Sequence, residues 1–197
     1  MVQFDLLGYL FFAFVTSITP GPNNYLLLAN GRTYGLTSSI TLMFGIFLGF
    51  SVMLLLTGYG IGQLLLVNRT IEFVFKIISS GWLLYLAYLI SKSNSINKST
   101  SALNIGFTKG FFMQFVNPKA WVMALSGASA FMPTVGNLHL NVILFSLLFG
   151  LVGIPCMVVW VLFGDLQTRM FQSSSSHSLT GWVLAVLMAL GVLFIWI

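Results

Sequence analysis

The stretch Thr19-Pro20-Gly21-Pro22-Asn23-Asn24 interrupts the first long apolar segment of the chain. Two prolines and a glycine so close together remove backbone donors and loosen the chain, so a helix does not run through them. A second interruption, Asn117-Pro118-Lys119-Ala120, lies inside a later apolar segment. Asn before Pro leaves helical geometry but suits the start of a new helix, and Thr19-Pro20 suits one in the same way. Each stretch therefore predicts a helix that ends and begins again.

The composition predicts that lipid is the main solvent of this chain. Of its 197 residues, 58% are hydrophobic and 6% are charged, whereas a soluble domain carries about 25% charged residues. The lone cysteine excludes an internal disulfide and a cysteine metal cluster, and no cofactor is predicted. The eight lysines and arginines are scattered, so the net charge of +5 does not indicate a nucleic-acid partner.

Apolar segments long enough to cross a bilayer, about 20 residues each, occur six times. We therefore predict an all-α integral membrane fold with six transmembrane helices, the first and fourth broken at their proline motifs. The predicted spans are 5–28, 37–58, 73–91, 106–131, 140–164 and 179–197.

Lysine and arginine positions predict the orientation, because these residues accumulate in cytoplasmic loops. Five lie in or beside the odd-numbered loops, against two in or beside the second loop. The five are Arg32, Lys92, Lys98, Lys109 and Arg169, and the two are Arg69 and Lys76. We expect the odd loops in the cytoplasm and both termini in the periplasm of a bacterial inner membrane.

The two halves of the chain are similar at an offset of about 100 residues, as in Gly81-Trp82 and Gly181-Trp182. Three spans per half make the second half enter the membrane from the opposite side, which is the inverted-repeat plan of many secondary transporters. We predict a first three-helix repeat over 1–91, a cytoplasmic linker over 92–105 and a second three-helix repeat over 106–197.

Both proline motifs are predicted near the bilayer centre. At 1.5 Å per helical residue, Pro20 lies roughly 15 Å from Asn30 at the cytoplasmic end of its span, and Lys119 lies roughly 15 Å from Lys109. Interrupted backbone survives at that depth only where protein or a watery cavity satisfies its polar groups. A restarted helix also directs its positive dipole end into such a cavity, which favours an anion. A packing kink is the simpler alternative for a single proline, but two kinks at matching depth weaken it.

Lys119 is the sharpest single signal, because a central lysine costs several kcal/mol. The acids Asp5, Glu72 and Asp165 all lie near predicted span ends. Lys119 is therefore expected to reach a watery cavity, to be deprotonated, or to pair with a substrate carboxylate.

With these motifs, the chain resembles the LysE/RhtB family of bacterial amino-acid exporters. The marks are Thr19-Pro20-Gly21-Pro22-Asn23, the segment Gly110 through Asn117-Pro118-Lys119-Ala120, and Gly81-Trp82-Leu83-Leu84-Tyr85-Leu86 between them. Asn23-Asn24 and Gln114-Phe115-Val116-Asn117 look most like the branch that exports cysteine and O-acetylserine. The resemblance covers essentially the whole chain.

The resemblance implies efflux of small amino acids or their derivatives from the cytoplasm, driven by the proton motive force or the substrate gradient. We expect alternating access, in which the two repeats rock around a central site. The substrate carboxylate would lie beside Asn117 and Lys119, and its ammonium would meet carbonyls exposed between Thr19 and Pro22. The candidate substrate-binding residues are Thr19, Pro20, Gly21, Pro22, Asn23, Asn24, Gln114, Asn117, Pro118 and Lys119.

Other functions are weighed against this one. An exporter of homoserine, threonine or another amino acid belongs to the same family, and a non-transporting assembly subunit is a separate alternative. An enzyme is disfavoured because the two histidines, three acids and one cysteine are scattered along the chain. The expected partners are a small amino acid and membrane lipid, and glycine-rich faces allow a homodimer.

Overall fold

A computed structural model describes residues 5–61, 69–92, 106–133 and 135–170, with 182–183, 185–186, 189–190 and 192–196 in the C-terminal part. Throughout these residues the regular structure is helical, with no strand, as the predicted all-α class requires. The helices are α1 (Leu6–Ile18), α2 (Pro22–Gly58), α3 (Arg69–Lys92), α4 (Phe107–Val116), α5 (Pro118–Phe131), α6 (Leu138–Met170) and α7 (Leu193–Trp196).

Two helical segments are long and apolar enough to cross a membrane, Pro22–Gly58 and Leu138–Gln167. Leu6–Ile18 and Phe73–Tyr85 are shorter apolar helices. Large apolar side chains also cover the outer surface of the molecule. Leu7 is 80% exposed and Phe11 is 70% exposed, as expected of faces that meet lipid rather than water.

Each proline motif lies between two helices. Thr19 and Gly21 are extended, and α2 begins at Pro22, its first helical residue. The sequence suggested Thr19-Pro20 for this start, but the helix begins two residues later because the backbone stays extended through Gly21. In the second motif, Asn117 is the cap of α5 and Pro118 is its first residue, where the missing N–H is not needed.

A turn at Gly35 takes the place of the loop predicted between the first two spans. Gly35 has φ +74° and ψ −175° inside an otherwise continuous α2, a conformation that side chains with a Cβ rarely adopt. Before the turn, the chain runs parallel to α6. Tyr9 stacks on Phe145, and further along both segments Trp160 donates a hydrogen bond to the Ile18 carbonyl.

After the turn, the direction is reversed. Phe50 packs on Phe149 with ring centroids 4.9 Å apart, and Gly58 lies against Val142, so rising numbers in α2 meet falling numbers in α6. Residues 36–58 therefore form a second crossing that is antiparallel to α6. The path of two spans is as predicted, although the connection is one residue rather than a loop.

The first and fourth predicted spans cross in opposite directions. Phe12 lies beside Gly127, Thr19 is bonded to Lys119, and Asn23 is bonded to Gln114. Along this contact, residue numbers rise through α1 and the start of α2 and fall through α5 and α4, so the two segments run in opposite directions. The two proline motifs meet in the middle of this crossing.

Several predicted boundaries differ from the structure. Helix α6 continues to Met170, six residues beyond the predicted end at 164, so the start of the predicted fifth loop is helical. Helix α3 begins at Arg69 rather than 73. The linker 92–105 lies outside the described residues except for Lys92, and the sixth span is described only in short pieces.

Candidate functional site

A pocket opens where the two proline motifs meet, with an empty volume of about 570 Å³ that includes the space at its mouth. Six of the ten predicted site residues line it: Gly21, Pro22, Asn23, Asn24, Asn117 and Lys119. Thr19, Pro20 and Gln114 adjoin it through hydrogen bonds to lining residues. Pro118 begins α5 and is not among the lining residues.

The remaining wall is mainly apolar and was not predicted from the sequence. Hydroxyls of Thr16 and Ser17 and two helix glycines interrupt it. The apolar members are Ile46, Phe47, Phe50, Ala120, Met123, Phe149 and Met157. In a chain that is mostly apolar, composition carries no signal that separates a pocket wall from a lipid-facing surface. Gly150 and Gly153 can be identified in the sequence as glycines within an apolar segment, but only the packing shows that they face the pocket.

A network of amides joins the two motifs beside the pocket. The Asn23 side chain donates to Gln114 Oε1 at 2.8 Å and accepts from Gln114 Nε2 at 3.1 Å. Asn117 Nδ2 donates to the same Asn23 oxygen at 3.2 Å, and Asn117 Oδ1 accepts from the Lys119 N–H at 3.1 Å. Gln114 is fully buried, where an amide without partners is costly. The network therefore holds the start of α2 against the end of α4.

The carboxyl end of α1 is closed by side chains from other helices. Asn24 Nδ2 donates to the carbonyl oxygens of Ser17 and Thr19 at 3.0 and 2.6 Å. Trp160 Nε1 donates to the Ile18 carbonyl at 3.1 Å. These bonds satisfy carbonyls that a helix end leaves without partners, so the interruption is stable within an apolar core.

Lys119 crosses from the second motif to the first. Its ammonium donates to the Thr19 carbonyl at 2.5 Å, the Thr19 hydroxyl at 2.9 Å and the Pro20 carbonyl at 3.2 Å. The sequence led us to expect water, deprotonation or a substrate carboxylate. The structure instead supplies protein oxygens, which sequence reasoning missed because they lie 99 and 100 residues away.

The start of α2 gives the pocket a positive end. Its cap, Gly21, has no side chain to bond the first N–H groups, and the first backbone bond there runs from the Tyr25 N–H to the Gly21 carbonyl. The N–H groups of Asn23 and Asn24 belong to this turn. A Cβ added to Gly21 would lie 3.2 Å from Lys119 Nζ, so the lysine charge and the helix dipole lie side by side.

Comparison with known proteins gives one consistent group. The sequence model of a family described as LysE type translocator matches residues 14–196. The cysteine/O-acetylserine efflux protein of Klebsiella pneumoniae is 29% identical over 181 residues, 92% of this chain and 91% of that protein. The protein of the same name from Salmonella typhimurium is 32% identical over 162 residues, 82% of this chain and 83% of the relative. That from Escherichia coli K12 is 27% identical over 161 residues, with the same coverage. No solved structure matches the chain.

Proposed function

The chain belongs to the family of LysE type translocators, and from this membership we propose that it exports small amino acids or their derivatives from the cytoplasm by alternating access. The resemblance drawn from its motifs is confirmed. Family and relatives are named as translocators and efflux proteins, which favours transport over catalysis. The observation that carries the proposal is the pocket at the meeting point of two interrupted helices, beside Lys119.

The substrate that we propose is cysteine, O-acetylserine or a similar amino acid with a small, uncharged side chain. The relatives at 27–32% identity carry cysteine and O-acetylserine in their names. Among the described residues, the pocket lining includes no acidic side chain that would hold a basic one. Met123 and Met157 offer polarisable sulfur atoms in an apolar wall, which suits a short apolar or sulfur-bearing group.

The carboxylate of this substrate would lie at the start of α2 beside Lys119. Free N–H groups and the helix dipole favour an anion there, and the nearby ammonium adds a full positive charge. Asn117 and Asn24 lie on the same pocket and would orient the substrate through their amides. The sequence-based hypothesis placed the carboxylate at the starts of the restarted helices, beside Asn117 and Lys119. At the start of α5, Asn117 already caps the Lys119 N–H. The start of α2 is therefore the better position.

Opposed helix directions support alternating access between two inverted repeats, 1–91 and 106–197. The first span crosses the fourth in the opposite direction, and residues 36–58 run antiparallel to α6. An inverted repeat requires this relation between each helix and its counterpart. The pocket lies between segments of both repeats, so rocking of one against the other would change its access.

Orientation and assembly complete the proposal. We place the protein in the bacterial inner membrane with both termini and the second loop in the periplasm and the linker 92–105 in the cytoplasm. Labelling of single cysteines introduced at 64 and 98 with a membrane-impermeant thiol reagent, in a Cys156→Ser background, would test this. In intact cells we expect labelling of the cysteine at 64 and not of the cysteine at 98. Labelling at 98 alone would show that the orientation is the opposite one. The homodimer stays a prediction, for which light scattering in detergent is the measurement.

Efflux from proteoliposomes tests the function. Vesicles loaded with radiolabelled cysteine, O-acetylserine, threonine, homoserine or lysine are compared for the native protein, Lys119→Met and the matched control Lys109→Met. Lys109 is exposed and does not line the pocket. We expect selective efflux of cysteine and O-acetylserine that Lys119→Met lowers about tenfold and Lys109→Met leaves unchanged. Efflux of homoserine and threonine instead would establish the alternative substrates, and no flux with any amino acid would favour an assembly subunit.

A further inference from the structure

Three oxygen atoms between α1 and α2 form a receptor for a primary ammonium group. The Thr19 carbonyl, the Thr19 hydroxyl and the Pro20 carbonyl all accept from Lys119 Nζ, at 2.5, 2.9 and 3.2 Å. An ammonium has three donors and no acceptor, so three converging oxygens match it fully. We call these three oxygens the ammonium cradle.

We propose that the ammonium cradle binds the substrate's own amino group, and that Lys119 occupies it only while the pocket is empty. This rests on the proposed export of amino acids. A zwitterionic amino acid carries the same primary ammonium as the lysine, together with a carboxylate that the lysine lacks. On binding, the substrate ammonium replaces Lys119 in the cradle, and Lys119 turns to the substrate carboxylate.

The position of the cradle supports this exchange. Gly21, the next residue along the chain, lines the pocket, and so does Lys119 itself. Lys119 reaches the cradle over Gly21, because a Cβ there would lie 2.6 Å from Lys119 Cδ. Four rotatable methylenes let its ammonium leave without any change of the backbone. A small shift would bring it towards the start of α2, where the carboxylate is proposed.

Charge balance makes the exchange selective for amino acids over amines. In the empty pocket, the Lys119 charge is held by carbonyls at the negative end of α1. An amine that took the cradle would leave the Lys119 ammonium without its three acceptors and without a counter-charge in a mainly apolar pocket, which is unfavourable. An amino acid supplies the carboxylate that compensates it. Lys119 is thus a built-in competitor that only a molecule with both groups displaces.

A purely structural role for Lys119 predicts a different result. In that case the lysine would only tie the two proline motifs together, and its removal would loosen the pocket for every ligand. The two roles therefore differ in the sign of one effect. Removing Lys119 vacates the cradle, so an amine without a carboxylate should bind more tightly if the cradle is a ligand site.

Binding of L-cysteine and of cysteamine, its analogue without a carboxylate, is the experiment. Calorimetry is done on the purified full chain in detergent under reducing conditions, for the native protein, Lys119→Met, Lys119→Gln and Lys109→Met. In Lys119→Met we expect L-cysteine to bind about tenfold more weakly and cysteamine about tenfold more tightly than in the native protein, as for one charged hydrogen-bond partner lost or one competitor removed. Lys109→Met should match the native protein for both ligands.

Two further variants keep the test decisive. Lys119→Gln retains a donor for one carbonyl and should show the same signs if the methionine variant does not fold. Thr19→Val combined with Lys119→Met should lose part of the gain in cysteamine affinity, because one cradle oxygen is removed. Cysteamine affinity that is unchanged or weaker in a folded Lys119 variant would overturn the cradle, even if amino-acid efflux is observed. A higher affinity for cysteamine in the variant, without any amino-acid efflux by the native protein, would support the ammonium cradle and contradict the proposed export function.

Discussion

Asn23 and Gln114 face each other across the two halves of the chain with their amides paired in both directions, at 2.8 and 3.1 Å. Asn23 lies just after the first interruption, at the start of α2, and Gln114 lies just before the second, at the end of α4. The pair therefore fixes the relative position of the two proline motifs, and with it the shape of the pocket between them.

Breaking this pair should destabilise the protein non-additively. Asn23→Ala takes the donor away from Gln114 Oε1, and Gln114→Leu takes the acceptor away from Asn23 Nδ2. The amide that is left keeps its other bond, from Gln114 to the Gly110 carbonyl or from Asn117 to Asn23. We therefore expect each change to lower the free energy of unfolding by about 1–3 kcal/mol. The double variant should cost less than the sum, because its second change removes the orphaned group. Thermal unfolding in detergent measures this. Tyr59→Phe, which removes an exposed hydrogen bond to His139, is the control and should have a smaller effect. Simple additivity would show that the two amides act independently.

Gly45→Ala should disrupt the packing of α4 on α2. A Cβ at Gly45 would lie 2.9 Å from the carbonyl carbon of Phe107 and closer still to its oxygen, and backbone atoms cannot move aside as a side-chain end can. We expect a loss of about 1–3 kcal/mol, as for other overpacked sites. Gly81→Ala is the matched control, since nothing lies within 4 Å of its added Cβ, and it should be neutral or stabilising by up to about 1 kcal/mol. Equal melting temperatures for the two variants would contradict the close approach.

Gly153→Ala should narrow the pocket without disturbing the fold. Its added Cβ would lie 3.8 Å from the Ser17 hydroxyl, which is ordinary contact, but the methyl group would occupy pocket space. We expect efflux of O-acetylserine to fall about tenfold more than efflux of cysteine, in line with the discrimination that one methyl group provides. Gly81→Ala, outside the pocket, should leave the ratio of the two rates unchanged. A uniform loss for both substrates would mean that Gly153 serves helix movement rather than substrate fit.

Trp160→Phe should weaken the closure of α1. The change keeps an aromatic ring beside Tyr25 but removes the donor to the Ile18 carbonyl. A part-buried carbonyl then loses its partner, so unfolding should become easier by about 1–2 kcal/mol. Trp182→Phe at a position that is 58% exposed is the comparison and should change the melting temperature little. If both variants melt alike, the Ile18 carbonyl has found another donor.

The proline motifs could be predicted from the sequence because their effect is local. A proline has no N–H and restricts the residue before it, so the ends of α1 and α4 follow from covalent geometry. Helix limits elsewhere were less predictable. Helix α6 continues past 164 to Met170, since a change from apolar to polar side chains marks the edge of a membrane segment but does not end a helix. The turn at Gly35 falls within the first loop that the sequence predicted, but the sequence does not show that a single glycine in the left-handed region reverses the chain there.

Hydrophobic composition and backbone chemistry therefore determined by themselves that this chain forms apolar helices in a membrane, with two interruptions at the proline motifs. Both properties act over a few residues and need no knowledge of the fold. The tertiary structure alone decided which atoms those interruptions meet. Lys119 needed a partner at its depth, and the one it found is a carbonyl and a hydroxyl on Thr19. Backbone carbonyls look the same at every position of a sequence, and only the crossing of two helices selects which of them a lysine 100 residues away can reach.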